Sequence, residues 1–186
     1  MKSHRFVLPL VLSALATAAF AQSDAQKSTV PSEAQKSFTS MKTLAGEWEG
    51  PVAVPEAPEM SGGKPIHVSL RVTSRGHTLV HELQEAGTPL DAAKYDHPVT
   101  MMYLDGEQLT LVHYCDAGNR PRMTGNLTPD GKKVDFELKD ISGKPDYHMH
   151  HSVFTFIDAN HHTEDWTFMM PGDKPVRAHV DLQRKE

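Results

Sequence analysis

From Trp48 to the C-terminus, apolar and polar residues alternate with a period of two, in short runs broken by turn-forming clusters. That is the pattern of an antiparallel β meander. It predicts about ten strands. The first runs from Trp48 to Val54. Ile66 to Thr73 sets Ile66, Val68, Leu70 and Val72 against His67, Ser69, Arg71 and Thr73, and Arg75-Gly76 turns the chain into Thr78 to Gln84. Val99 to Leu104 and Leu109 to Cys115 flank Asp105-Gly106, a hairpin dipeptide that accepts positive φ, while Met123 to Leu127 and Val134 to Leu138 flank Pro129-Asp130-Gly131. His148 to Ile157, His162 to Met169 and Val176 to Leu182 complete the set.

Upstream the period changes. Ser32 followed by Gln35 is a capping box, and Phe38, Met41 and Leu44 recur at helical spacing up to Gly46, which is expected to stop the helix. The fold expected is all-β: a closed antiparallel barrel of about ten strands, with a short N-terminal helix capping one end and Trp48 plugging it. Ahead of the helix, residues 22–31 are polar and aperiodic, as in a flexible leader. Residues 1–21 read as an export signal. Lys2, His4 and Arg5 form a basic region, Phe6 to Ala19 is apolar but too short to span a membrane, and Ala19-Phe20-Ala21 is a small-x-small cleavage site. The expectation is export by the general secretory route, cleavage after Ala21, and a periplasmic or extracellular product with residues 32–186 as one domain.

The formal net charge is −5, two units more negative once Lys2 and Arg5 leave with the signal, and no basic run occurs. Nucleic acid is thereby excluded as an expected partner. Cys115 is the only cysteine, so no internal disulfide can form. Neither a nucleophile-elbow serine nor a phosphate loop is present.

Candidate chemistry follows from strand parity, because polar residues that alternate with the apolar set share its inward face. His81 lies between Leu79 and Leu83, and His113 and Cys115 follow Leu109 and Leu111. His148, His150, Ser152, Phe154 and Phe156 share a face, as do His162, Glu164, Trp166 and Phe168. The candidate ligand-binding residues are therefore His81, Tyr103, His113, Cys115, Arg122, His148, His150, Glu164 and Trp166. Twelve histidines are an excess for this length, concentrated at His148-Met149-His150-His151 and His161-His162. Two histidines at i and i+2 on a strand stand roughly 6–7 Å apart, so His113, His148 and His150 are a candidate set for zinc or copper. The alternative is a group of partly solvated strand-end histidines. His113 could also lower the pKa of Cys115 and make it a nucleophile; a buried, inert thiol is the other reading. The methionines are expected to fill core, with Met149 facing away from His148 and His150.

Gly46-Glu47-Trp48, the helix and the strand count together resemble the calycin group, the lipocalin-like and fatty-acid-binding-protein-like barrels. The resemblance implies that Arg184, just past the last strand, packs on Trp48, making Gly46, Trp48 and Arg184 structural. Leu44 to Gly50, His113 to Met123 and Glu164-Asp165-Trp166 are similar to a family of exported bacterial proteins of unknown function. Gly46-Glu47-Trp48-Glu49-Gly50 is similar, more distantly, to the opening of the nitrobindins, ten-stranded haem barrels. That likeness implies haem held by a closing-strand histidine, for which His179 is the candidate, although Val176, Ala178, Val180 and Leu182 claim the inward face. The expected function is non-catalytic binding of a hydrophobic or amphipathic small molecule. The alternatives are a metal- or haem-binding barrel and an isomerase or hydrolase with a histidine as general base.

Overall fold

The computed structural model describes residues 30–61 and 63–186. The expected export signal and the expected leader as far as residue 29 lie outside the described residues. Helix α1 (Glu33–Lys42) starts on the capping box: the Gln35 amide N–H donates to Ser32 Oγ at 3.2 Å, and the Ser32 N–H donates to Gln35 Oε1 at 2.9 Å. Ala34, Ser37, Phe38 and Met41 form its buried face. Ser37 Oγ also accepts from the Leu127 N–H at 2.9 Å, which fastens the helix to the barrel wall.

The strands are β1 (Gly46–Gly50), β2 (Val52–Ala53), β3 (Ile66–Thr73), β4 (Thr78–Glu85), β5 (Val99–Asp105), β6 (Gln108–Tyr114), β7 (Arg120–Leu127), β8 (Lys133–Ser142), β9 (His148–Asp158), β10 (His161–Met170) and β11 (Lys174–Arg184). From β3 to β11 each pairs antiparallel with the next, β1 pairs with β3, and β1 closes the ring on β11 with Trp48 opposite Arg184. Strand β2 continues β1 beyond Pro51 along the same neighbour, with Val52 opposite Val180. The result is a closed barrel of ten strands, the short β2 counting with β1. Strand β7 begins at Arg120, ahead of the predicted Met123. Pro121 is tolerated there because it has a ladder partner on β8 and none on β6.

The barrel is filled. Trp48, Met41, Leu79, Met102, Leu109, Leu111, Met123, Phe136, Met149, Phe154 and Leu182 are fully buried and form one core. At the helix end Trp48 Nε1 donates to the Leu44 carbonyl at 2.8 Å. The Arg184 guanidinium lies 4.1 Å from the Trp48 ring centroid and donates to the carbonyls of Thr43, Ala45 and Ala159. Cation–π attraction and three backbone acceptors thus seal that end. Gly46 does not stop the helix, which ends at Lys42. It opens β1 at φ 144°, where an added Cβ would run into the Arg184 guanidinium. Its glycine identity serves the seal.

One irregularity repositions the predicted chemistry. Strands β9 and β10 pair Thr167 with His151 and then Phe168 with Met149, so His150 is an extra residue in a β-bulge. From the bulge back to the start of β9 the parity inverts.

Candidate functional site

Glu164 on β10 is wholly buried, and three donors converge on it. His81 Nε2 on β4 donates to Glu164 Oε2 at 2.9 Å, Trp166 Nε1 donates to the same oxygen at 2.9 Å, and His162 Nε2 donates to Oε1 at 3.1 Å. Burial alone would push this carboxyl up. The His81 charge, the hydrogen bonds from His162 and His81, and the His162 charge outweigh it and hold the group below its usual range. An ionised carboxylate only accepts, so it fixes both imidazoles with the proton on Nε2. His81 Nδ1 and His162 Nδ1 are left buried without a protein partner.

His113 on β6 continues this wall. Its Nδ1 shares a 2.9 Å hydrogen bond with Thr100 Oγ1, its Nε2 has no protein partner, and its ring centroid lies 5.9 Å from that of Trp166. Burial, helped by the His81 charge, pushes its pKa down to about 3. His113 is a neutral imidazole at ordinary pH. Beside it a cavity of about 120 Å³ is lined by His81, His113, Met149, Trp166 and Phe168 together with Val52, Ile66, Leu83, Pro98 and Ala178. These residues come from the end of β4, the starts of β3 and β9 and the far end of β10. The cavity therefore lies at the opposite end of the barrel from the Trp48–Arg184 seal. Its wall is apolar.

His81, His113, Glu164 and Trp166 are thus brought together, and His162 joins them. The other predicted positions fall elsewhere. The bulge turns Met149 inward, 1% exposed, where it was expected to face out. His148 then pairs with Met169 on the outer parity; its Nε2 lies 3.3 Å from His150 Nδ1, and its Nδ1 bonds the Pro145 carbonyl at 2.7 Å. The set His113, His148 and His150 is corrected accordingly. Among the described residues the triplets whose ligand atoms lie within 4.8 Å of one another are Asp96, Cys115 and Asp116, and Asp135, Glu137 and His151. Arg122 is also corrected: it sits on the outer wall, bound to Asp140 with its Nη2 2.5 Å from Oδ2. Tyr103 alternates with the buried Met102 and takes the outer parity. Cys115 lies past the end of β6, where burial pushes its thiol up and Asp96 and Asp116 add to that, so the environment opposes thiolate chemistry.

Haem does not fit through the residue the nitrobindin likeness singles out. His179 is on the outer wall, 2.6 Å from Asp165 Oδ1, and the inner cavity is of single-ring size. Sequence reasoning missed Thr100, which orients His113. Its alternation with Met102 was the available signal. It also missed Met149, for which an unmarked bulge left none.

No family model matches the sequence, and no curated protein does. Among solved structures, Rv2717c from M. tuberculosis is similar with a TM-score of 0.55 at 15% identity, over 81% of this chain and 98% of its own. A protein of unknown function of the DUF3598 family from Nostoc punctiforme matches with a TM-score of 0.25 at 7% identity, over 84% and 100% of the two chains. The likeness to Rv2717c shows the barrel fold alone.

Proposed function

We propose that this chain is an exported binding protein whose barrel mouth receives the apolar part of a small hydrophobic or amphipathic molecule. The observation that carries the reading is the apolar cavity of about 120 Å³ opposite the sealed end, backed by His81, His113 and Trp166. A dry cavity of roughly 150 Å³ is known to take benzene, so the space suits one ring or a short alkyl end and nothing larger without rearrangement. The neutral His113 brings no charge to that space and Glu164 is not part of its lining, which favours a neutral group.

The test is a titration with benzene and with 1-hexanol, followed by tryptophan fluorescence and by the melting temperature. Both probes should stabilise the wild type, and Ala178→Phe, which fills the cavity from β11, should abolish the response. Silence in the wild type, or an equal response in the filled variant, would refute the reading. Mature protein starting at Gln22 is the companion expectation for export, checked by N-terminal sequencing of the secreted chain.

A second reading, an isomerase or hydrolase, is favoured by one contact: the Glu164–His81 hydrogen bond orients an imidazole that also lines the cavity. Under it, Glu164→Gln would abolish turnover while leaving probe binding in place.

A further inference from the structure

Several histidines on the outer wall of the barrel stand against carboxylates. His67 meets Glu47 at 3.0 Å, His161 meets Asp181 at 2.8 Å and His179 meets Asp165 at 2.6 Å, one imidazole to one carboxylate. His151 differs. Its Nε2 lies 2.7 Å from Asp135 Oδ1 and 3.6 Å from Glu137 Oε1. Asp135 and Glu137 are at i and i+2 on the outward face of β8, and Glu137 is directly opposite His151 in the β8–β9 ladder. The spacing is therefore set by strand register in the middle of a sheet, where a loop would leave it loose.

Charge adds an independent argument. Among the described residues neither Asp135 nor Glu137 is ion-paired with a lysine or arginine, and their ladder neighbours on β7, Asn126 and Thr124, are neutral. Two carboxylates facing one imidazole leave net negative charge whether or not the ring is protonated. A divalent cation would neutralise it.

We propose that Asp135, Glu137 and His151 bind one divalent first-row transition metal, with zinc the best match. One imidazole nitrogen and two carboxylate oxygens are a donor set zinc accepts, and the fourth position stays open to water. With bonds of about 2.0–2.1 Å, donor atoms of a tetrahedral site stand roughly 3.3 Å apart. The separations of 2.7 and 3.6 Å to His151 Nε2 bracket that value, and all three donor atoms lie within 4.8 Å of one another. Magnesium and calcium prefer all-oxygen shells and gain nothing from the imidazole. The site is on the outside of the wall and independent of the cavity.

The experiment is calorimetric titration of chelator-stripped protein with zinc sulfate. It compares wild type with Asp135→Asn, Glu137→Gln and His151→Ala, and with two controls, the His148→Ala, His150→Ala double variant and Cys115→Ser. Wild type and both controls should bind one equivalent, each of the three site variants should lose at least about tenfold in affinity, and excess magnesium should not compete. The three substitutions sit on the outer wall, and unchanged melting temperatures verify the fold. No binding by wild type, binding that survives Asp135→Asn and Glu137→Gln, or binding lost in either control overturns the proposal.

Discussion

Acid should unfold this protein early, and His113 should be a principal cause. Its pKa is lowered from 6.5 to about 3 by burial and by the His81 charge. In the unfolded chain the same imidazole takes up a proton as the pH falls through 6.5; in the fold it stays neutral. The unfolded state thus binds more protons, and the stability that His113 supplies is complete above pH 6.5 and is lost as the pH drops towards 3. At about 1.4 kcal/mol per pH unit, the loss at pH 5 is roughly 2 kcal/mol. Glu164, also held below its ordinary value of 4.5, adds a loss of the same sign below that pH. The assay is urea unfolding at pH 7.5, 6 and 5 of wild type and of His113→Gln, whose amide can still meet Thr100 Oγ1. The variant starts less stable, but its stability should fall less by about 2 kcal/mol over that range. Parallel pH profiles for the two proteins would refute the burial argument, since every other histidine is common to both.

Two further outcomes are expected. Trp48→Ala removes the plug beneath Arg184 and should cost about 3–5 kcal/mol in urea unfolding at pH 7.5, with little effect on probe binding at the opposite mouth. Glu164→Gln leaves His81 and His162 facing an amide in place of a carboxylate and should cost about 3–5 kcal/mol in the same measurement, while Glu137→Gln on the outer wall should change stability by less than about 1 kcal/mol.

The barrel was legible because its turns carry their own chemistry: Asp105-Gly106 and Pro129-Asp130-Gly131 mark strand ends whatever the core does. The seal was legible too, since Trp48 and the basic Arg184 follow from the resemblance and the register places them side by side. Parity brought out His81, His113, His162 and Glu164 because β4, β6 and that part of β10 alternate without interruption. It failed at β9, where the bulged His150 is neither glycine nor proline and nothing local distinguishes an extra residue from a paired one. That single slip exchanged Met149 for His148 and His150 on the inner face, and with them an apolar pocket for a metal site. Arg122 was misplaced for a different reason: its neighbour Met123 already claimed the interior, and alternation applied to β7 would have turned the arginine out.

The ring closes between the first strand and the last, with Trp48 opposite Arg184 and Glu49 opposite Gln183. For a chain made from its N-terminus this is a timing constraint. Strands β3 to β10 can pair each with its predecessor as they appear, but β1 must wait with an unpaired edge until the final residues arrive, and pairing at so large a sequence separation is slow. Until then the sheet has two open edges, each a template for pairing with another chain. Arg184 acts as the latch of that last step, because it brings three backbone acceptors and the Trp48 face under one side chain. Loss of the last few residues would remove the β1–β11 pairs and the seal together, leaving the seam held only where β2 meets β11 at Ala53–His179 and Val52–Val180, a defect far larger than the area those residues bury.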